Sequence, residues 1–242
     1  MDSWQYRPAA DQGLKPHDRL RSLKREAGML DHALQSGWRL ATRAYLRIYH
    51  RLTVAGLEHV PSSAPFVIVA NHASHLDALT LAAALPWALR RAVFPIAAGD
   101  VFFETPVVSF FSAMMLNALP MWRHRCGSHA LAELRERLIG EPAIYILFPE
   151  GTRSRDGQLG RFKPGIGMMV AGSAVPVVPC YLSGAHLAFP ADARVPRPKK
   201  LQLRIGQPLV FEQVKDDRDG WLEVARQLEA AVGALRDPAP KT

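Results

Sequence analysis

The sequence predicts an α/β fold: a mixed, largely parallel sheet flanked by helices, with an N-terminal amphipathic helical segment. Three observations point there. Short apolar runs rich in β-branched residues recur along the chain, Phe66-Val67-Ile68-Val69-Ala70 among them, and each is too short to be a buried helix. Stretches of helical period lie between these runs, such as Ala130, Leu131, Leu134 and Leu138. Strand and helix signals that alternate in this way indicate helices packed on a sheet with parallel pairs. The chain has 242 residues, 48% of them hydrophobic, enough to bury a sizeable core.

Taken in order, residues 1–28 are polar, contain Pro8, Gly13 and Pro16, and are expected to be loosely ordered. Next, Leu34, Trp38, Ala41, Tyr45, Ile48 and Leu52 recur at steps of three and four along one helical face. Arg39, Arg43, Arg47 and Arg51 fall on the opposite side. Such a basic amphipathic helix suits a bilayer interface; it equally suits docking on a core with its arginines in water. Leu52 to Val60 reads as a short strand turning at Gly56. Phe66–Ala70 reads as a buried strand, and Leu79–Leu85 as a helix stopped by Pro86. Strands are expected at 92–97, 143–148, 174–181 and 201–205, and helices at 106–117 and 128–139. Asp219–Leu235 reads as a closing amphipathic helix. The basic, proline-broken stretch Arg194–Lys200 reads as a loop. The expected division is 1–51 as a basic membrane-association segment, 52–236 as the catalytic domain, and 237–242 as a tail.

Charge and composition narrow the function. The net charge of +8 suits an anionic membrane surface, an acidic substrate or nucleic acid. No zinc-finger, RNP-like or basic-zipper pattern supports nucleic acid, so none is expected as a partner. The first 25 residues are too charged for a signal peptide. The most apolar stretch, Thr105–Met121, is interrupted by Pro106, Ser109, Ser112, Asn117 and Pro120, which argues against a membrane span. Cys126 and Cys180 form neither a disulfide framework nor a CxxC pair.

Three stretches carry chemistry. Asn71-His72-Ala73-Ser74-His75-Leu76-Asp77 follows the Phe66–Ala70 strand and precedes a helix. An imidazole and a carboxylate at this spacing can meet across the turn; the carboxylate then fixes the tautomer and leaves the other ring nitrogen as a base. A core histidine bonded to a carbonyl is the plainer alternative. A metal site fits poorly, since His72, His75 and Asp77 match no hydrolase spacing and no His-Glu-x-x-His is present. Phe148-Pro149-Glu150-Gly151-Thr152-Arg153 also follows a strand, so Glu150 and Arg153 reach the sheet edge, where ligands bind in open α/β sheets. A charged turn with an internal Glu–Arg pair is the alternative there. Arg123 and Arg125 lie near the start of a helix, a place favourable to anions.

In combination these stretches resemble the glycerolipid and lysophospholipid acyltransferase family. The order His-x-x-x-x-Asp, arginine turn, Phe-Pro-Glu-Gly-Thr-Arg, Val-Pro-Val-Val-Pro is the family's, and the resemblance runs from about Leu52 to Leu235. Arg161-Phe162-Lys163-Pro164-Gly165 and Gly206-Gln207-Pro208 resemble its minor blocks. The resemblance implies a catalytic pair, His72 and Asp77. It implies acceptor binding by Arg123, with Arg125 near, and by Glu150, Gly151, Thr152 and Arg153. Val175, Pro176, Val177, Val178 and Pro179 would help line the acyl-donor site. It implies acyl transfer from acyl-CoA or acyl carrier protein to a lyso-lipid, by default 1-acyl-glycerol 3-phosphate, with no acyl-enzyme, metal or cofactor. The place would be peripheral, on the cytoplasmic face of the cell membrane. Where the family commonly shows Ala-Lys-x-Glu-Leu, this chain has Ala97-Ala98-Gly99-Asp100-Val101. The missing lysine leaves open another acceptor, such as a lyso-ornithine lipid. A catalytically silent lipid-surface protein is the rival from another class.

Overall fold

The computed structural model describes residues 13–15, 29–98, 117–121 and 128–236. Its organising strand is β2 (Phe66–Ala70), all five residues of which are buried. Strand side chains alternate between faces. Val67 and Val69 therefore enter one core while Phe66, Ile68 and Ala70 enter the other.

Each core is roofed by helices. On the first face lie α3 (Ser128–Gly140), α4 (Gly165–Val170) and α6 (Arg218–Ala234), contributing Leu134, Leu138, Ile166, Met169, Val224, Leu228 and Val232. On the second lie α1 (Met29–Ile48), α2 (Asp77–Ala84) and α5 (Ala185–Ala188), contributing Leu46, Leu81, Ala185 and Ala188. The α6 helix starts where the Asp217 side chain accepts the Gly220 N–H at 2.9 Å, a standard N-cap. Gly167 lets α4 meet α6 closely: a Cβ there would stand 2.3 Å from the Trp221 Cα.

The seven described strands run β1 (Thr53–Ala55), β7 (Gln202–Ile205), β6 (Val177–Ser183), β2, β5 (Ile144–Leu147), β3 (Val93–Ala98), β4 (Leu119–Met121) across the sheet. All neighbours are parallel except β6 and β7. The mixed, largely parallel α/β sheet expected from the sequence is thus present.

After β2 the chain passes through α2, on the second face, to β3. After β5 it passes through α4, on the first face, to β6. The two connections leave adjacent strands in opposite directions, so a crevice opens beyond the carboxyl ends of β2 and β5.

Several expectations need correction. The Leu52–Val60 strand is only Thr53–Ala55, because Gly56 at φ +82° breaks it and Leu57–His59 forms a 3-10 turn. The strand expected at 174–181 begins at Val177 and continues to Ser183. The face of α1 that meets the core is not the Leu34–Leu52 stripe. The helix rests on Thr42 and Leu46, while Leu34, Leu40, Tyr45 and Ile48 are exposed. Arg39, expected among solvated arginines, is only 9% exposed. Strand β4 and the short helices α4 and α5 were not anticipated. The expectations for residues 1–28, for a helix over 106–117 and for the tail after Asp237 fall largely or wholly outside the described residues, as do Arg123 and Arg125.

Candidate active site

The chain leaves β2 through Asn71, whose side chain bridges to β6: its Nδ2 donates to the Leu182 carbonyl at 3.1 Å and its Oδ1 accepts the Leu182 N–H at 2.8 Å. That amide pins the strand end from which the next residue projects. His72 Nδ1 lies 2.8 Å from Asp77 Oδ2. The same oxygen accepts the backbone N–H groups of Ala73 at 2.7 Å and Ser74 at 2.8 Å. Asp77 is the first residue of α2, where the helix dipole favours a negative charge. A carboxylate holding three N–H groups at a helix start fixes the whole turn.

An ionised carboxylate only accepts, so Nδ1 of His72 carries the proton and Nε2 keeps its lone pair. The His72 side chain is 23% exposed and that of Asp77 is 0%. The base is reachable; its orienting carboxylate is not. The imidazole stacks on Phe148, with ring centres 4.1 Å apart and planes 16° apart, which limits its tilt.

The second loop, after β5, grips the backbone of the first. Glu150 Oε1 accepts the His72 N–H at 2.7 Å, and Oε2 accepts the Gly160 N–H at 3.0 Å. The Ser154 N–H donates to the His72 carbonyl at 2.7 Å. Both main-chain polar groups of His72 are thus bound from across the crevice. Glu150 is buried, and this burial pushes its pKa up against the lowering effect of the two N–H bonds. A Cβ at Gly160 would stand 2.8 Å from Glu150 Oε2, so any larger residue there would push this carboxylate aside.

Of the predicted acceptor-binding residues, Gly151 and Thr152 are exposed on the loop. The Arg153 guanidinium lies against the ring nitrogens of His75. Burial first, and then that guanidinium, lower the His75 pKa and keep the ring neutral. His72, Asp77, Glu150 and Arg153 therefore gather at one sheet edge. Val175, Val177, Val178 and Pro179 are buried, Pro176 less so. From Val177 these residues pair with β2 at Val67–Val69, behind the edge that carries His72, with the contacts of core residues.

Sequence reasoning assigned no role to Asn71, Phe148, Ser154 or Gly160. Asn71 and Phe148 stand inside the two motifs and Ser154 directly after the second, which was the available signal; Gly160, seven residues after Arg153, had none. Among the described residues, no cluster of three metal-binding side chains occurs.

The family model described as Acyltransferase matches residues 51–183. A chloroplastic 1-acyl-sn-glycerol-3-phosphate acyltransferase of Brassica napus is 37% identical over 148 residues, spanning 60% of this chain and 41% of that protein. The 1-acyl-sn-glycerol-3-phosphate acyltransferase alpha of Bos taurus is 29% identical over 169 residues, spanning 69% of this chain and 57% of the relative. The chain thus spans about half the length of the curated relatives it matches. The crystal structure of the 1-acyl-sn-glycerophosphate acyltransferase PlsC from Thermotoga maritima superposes with a TM-score of 0.64 at 25% identity, over 87% of this chain and 82% of that one.

Proposed function

The chain belongs to the Acyltransferase family, and on that premise we propose that it moves a fatty acyl group from an acyl thioester to the free hydroxyl of a lysophospholipid, with 1-acyl-glycerol 3-phosphate as the acceptor and phosphatidate as the product. The observation that carries this reading is the 2.8 Å bond from His72 Nδ1 to Asp77 Oδ2 at the crevice between β2 and β5. The names of the relatives supply the acceptor.

In this mechanism the acceptor hydroxyl oxygen attacks the thioester carbonyl carbon while its proton passes to Nε2 of His72. Asp77 stabilises the imidazolium that forms. The carbon–sulfur bond then breaks, and the proton on Nε2 goes to the departing thiolate. Each atom is accounted for by donor, acceptor and His72, so the step needs neither metal nor cofactor. A positioned base contributes about 10²–10⁴ in rate. The rest comes from holding two substrates together at the sheet edge. The donor is acyl-CoA or acyl carrier protein.

Glu150 acts as a positioning residue, because its two oxygens are occupied by backbone N–H groups and one of those is His72's own. Arg153, with Arg123 and Arg125, is proposed to take the acceptor phosphate, the kind of anion that a guanidinium fork suits.

The protein is proposed to work as a peripheral protein on the cytoplasmic face of the membrane. No helix among the described residues is long and apolar enough to cross a bilayer. Helix α1 does present Leu34 at 50%, Leu40 at 64% and Ile48 at 79% exposure, with Arg43 and Arg47 exposed alongside. That combination suits an anionic interface.

The test is thiol release from palmitoyl-CoA by the full chain, offered a panel of lyso-lipids. Release that depends on 1-acyl-glycerol 3-phosphate is the expected result. Turnover of a phosphate-free lyso-lipid alone would replace the acceptor, a reading that Ala98 at the family's lysine position favours.

A further inference from the structure

Away from the His72 crevice, a pocket opens between α1, α2 and the start of β3. Arg39, Arg90 and Arg91 all line it, together with Gln35, Ser36 and Thr42. No carboxylate lines it among the described residues. Arg39 is 9% exposed, and its Nη1 is buried with no hydrogen-bond partner. The Nε of Arg90 is in the same condition. Burial, then the charges of Arg43 and Arg90, push the Arg39 pKa down to about 10. The guanidinium nevertheless remains charged at neutral pH.

A buried cation with an orphaned N–H and like charges as its neighbours is an unfavourable arrangement by itself. An interior polar group of this kind normally has a partner. The partner that the lining calls for is anionic and rich in acceptor oxygens, because the guanidinium forks only donate and the hydroxyls of Ser36 and Thr42 can donate beside them.

We propose that this pocket is a binding site for a phosphate group, of a bilayer lipid head group or a free phosphate, held by Arg39 with Arg90 and Arg91. It is separate from the acceptor site. Arg90 and Arg91 stand three and two residues before Val93, and Val93 is in register with Ile144 and so with Phe66, at the amino ends of the parallel strands. His72 stands beyond the opposite end of β2, on the order of 20 Å further along at about 3.3 Å per residue. The site does not depend on the acyl-transfer reading. It would link phosphate-bearing surfaces to the seating of α1 on the sheet.

The experiment compares the wild-type full chain with Arg39→Met and Arg218→Met, which lose the same charge, the second from an exposed position on α6 across the sheet. Inorganic phosphate is titrated calorimetrically in chloride buffer at fixed ionic strength. Flotation then uses phosphatidylcholine vesicles with and without phosphatidylglycerol. Arg39→Met is expected to weaken binding about tenfold or more in at least one arm, and Arg218→Met to stay within about twofold of wild type. Loss in the phosphate arm identifies a site that takes free phosphate. Loss in the vesicle arm alone identifies a lipid head group. Without phosphate, Arg39→Met should melt no lower than wild type, because methionine removes an unpaired buried charge. If Arg39→Met melts early, Arg90→Gln carries the same comparison. Equal behaviour of the Arg39 and Arg218 variants in both arms, or binding in neither arm, overturns the proposal.

Discussion

Glu150 holds His72 by its main chain: Oε1 of the one accepts the N–H of the other at 2.7 Å. A family motif residue expected to face the acceptor thus stands behind the base. Glu150→Gln keeps the shape of the side chain but can accept only through one oxygen, so one of the two N–H groups loses its partner. The expected result is a fall in kcat of about 10- to 100-fold, since small misplacements of a reacting group carry that cost. KM for the acceptor should stay within about twofold. A raised KM with unchanged kcat would return Glu150 to the head group.

Asp77→Asn tests the other support of the ring. The amide carries no charge to stabilise an imidazolium, and its NH2 group can turn toward Nδ1 and select the other tautomer. A drop in kcat of about 10³–10⁴-fold is expected, as for a triad carboxylate changed to its amide. A variant within tenfold of wild type, checked by circular dichroism for folding, would detach Asp77 from the chemistry.

Much of this arrangement was legible in the sequence. Five apolar residues bounded by Pro65 read as a buried strand, and the five-residue step from His72 to Asp77 across a strand-to-helix turn allowed base and carboxylate to meet, as they do. The Glu150 role was not legible, because a backbone N–H leaves no mark in a sequence and the contact spans 78 positions. The seating of α1 was also hidden. Its apolar residues cover more than one side, and periodicity does not say which sector meets the core. Thr42 and Leu46 do so, and they carry Arg39 inward with them.

The outward face of α1 gives a membrane prediction. Ile48→Asp combined with Leu40→Asp removes exposed apolar surface without touching Leu46. Co-sedimentation with anionic vesicles should fall at least severalfold, and should also fall at high salt as the arginine attraction is screened. Unchanged sedimentation of the double variant would mean that α1 serves only the core.

Acid stability follows from two histidines. The His50 ring is buried between the Lys199 carbonyl, at 3.1 Å, and the Tyr45 hydroxyl, at 3.0 Å, and burial lowers its pKa from 6.5. The His75 pKa is lowered too, by burial and then by Arg153. The unfolded chain therefore binds more protons just below pH 6.5. Their contribution is present above that pH and is lost as the pH falls through the folded values. The melting temperature should decline from about pH 6.5 to 5, and His50→Gln should flatten the decline. A slope identical in both proteins would assign it to other groups.

Ala98 ends β3 opposite Met121 of β4, two residues before Arg123. Ala98→Lys would bring an ammonium to the same end of the sheet. It should raise kcat/KM for 1-acyl-glycerol 3-phosphate relative to a lyso-lipid without a phosphomonoester, by about tenfold for one charge-assisted contact. An unchanged ratio would separate this strand end from acceptor choice.

The central claim is that His72 takes the acceptor's proton, and one rate tests it most directly: thiol release from palmitoyl-CoA in the presence of 1-acyl-glycerol 3-phosphate by His72→Ala. Since His72 is partly exposed and its backbone bonds to Glu150 and Ser154 do not need the ring, the variant should fold. Its rate should fall by at least about 10²-fold, the lower range for loss of a positioned general base. A folded His72→Ala protein that keeps more than about a tenth of the wild-type rate would contradict the mechanism.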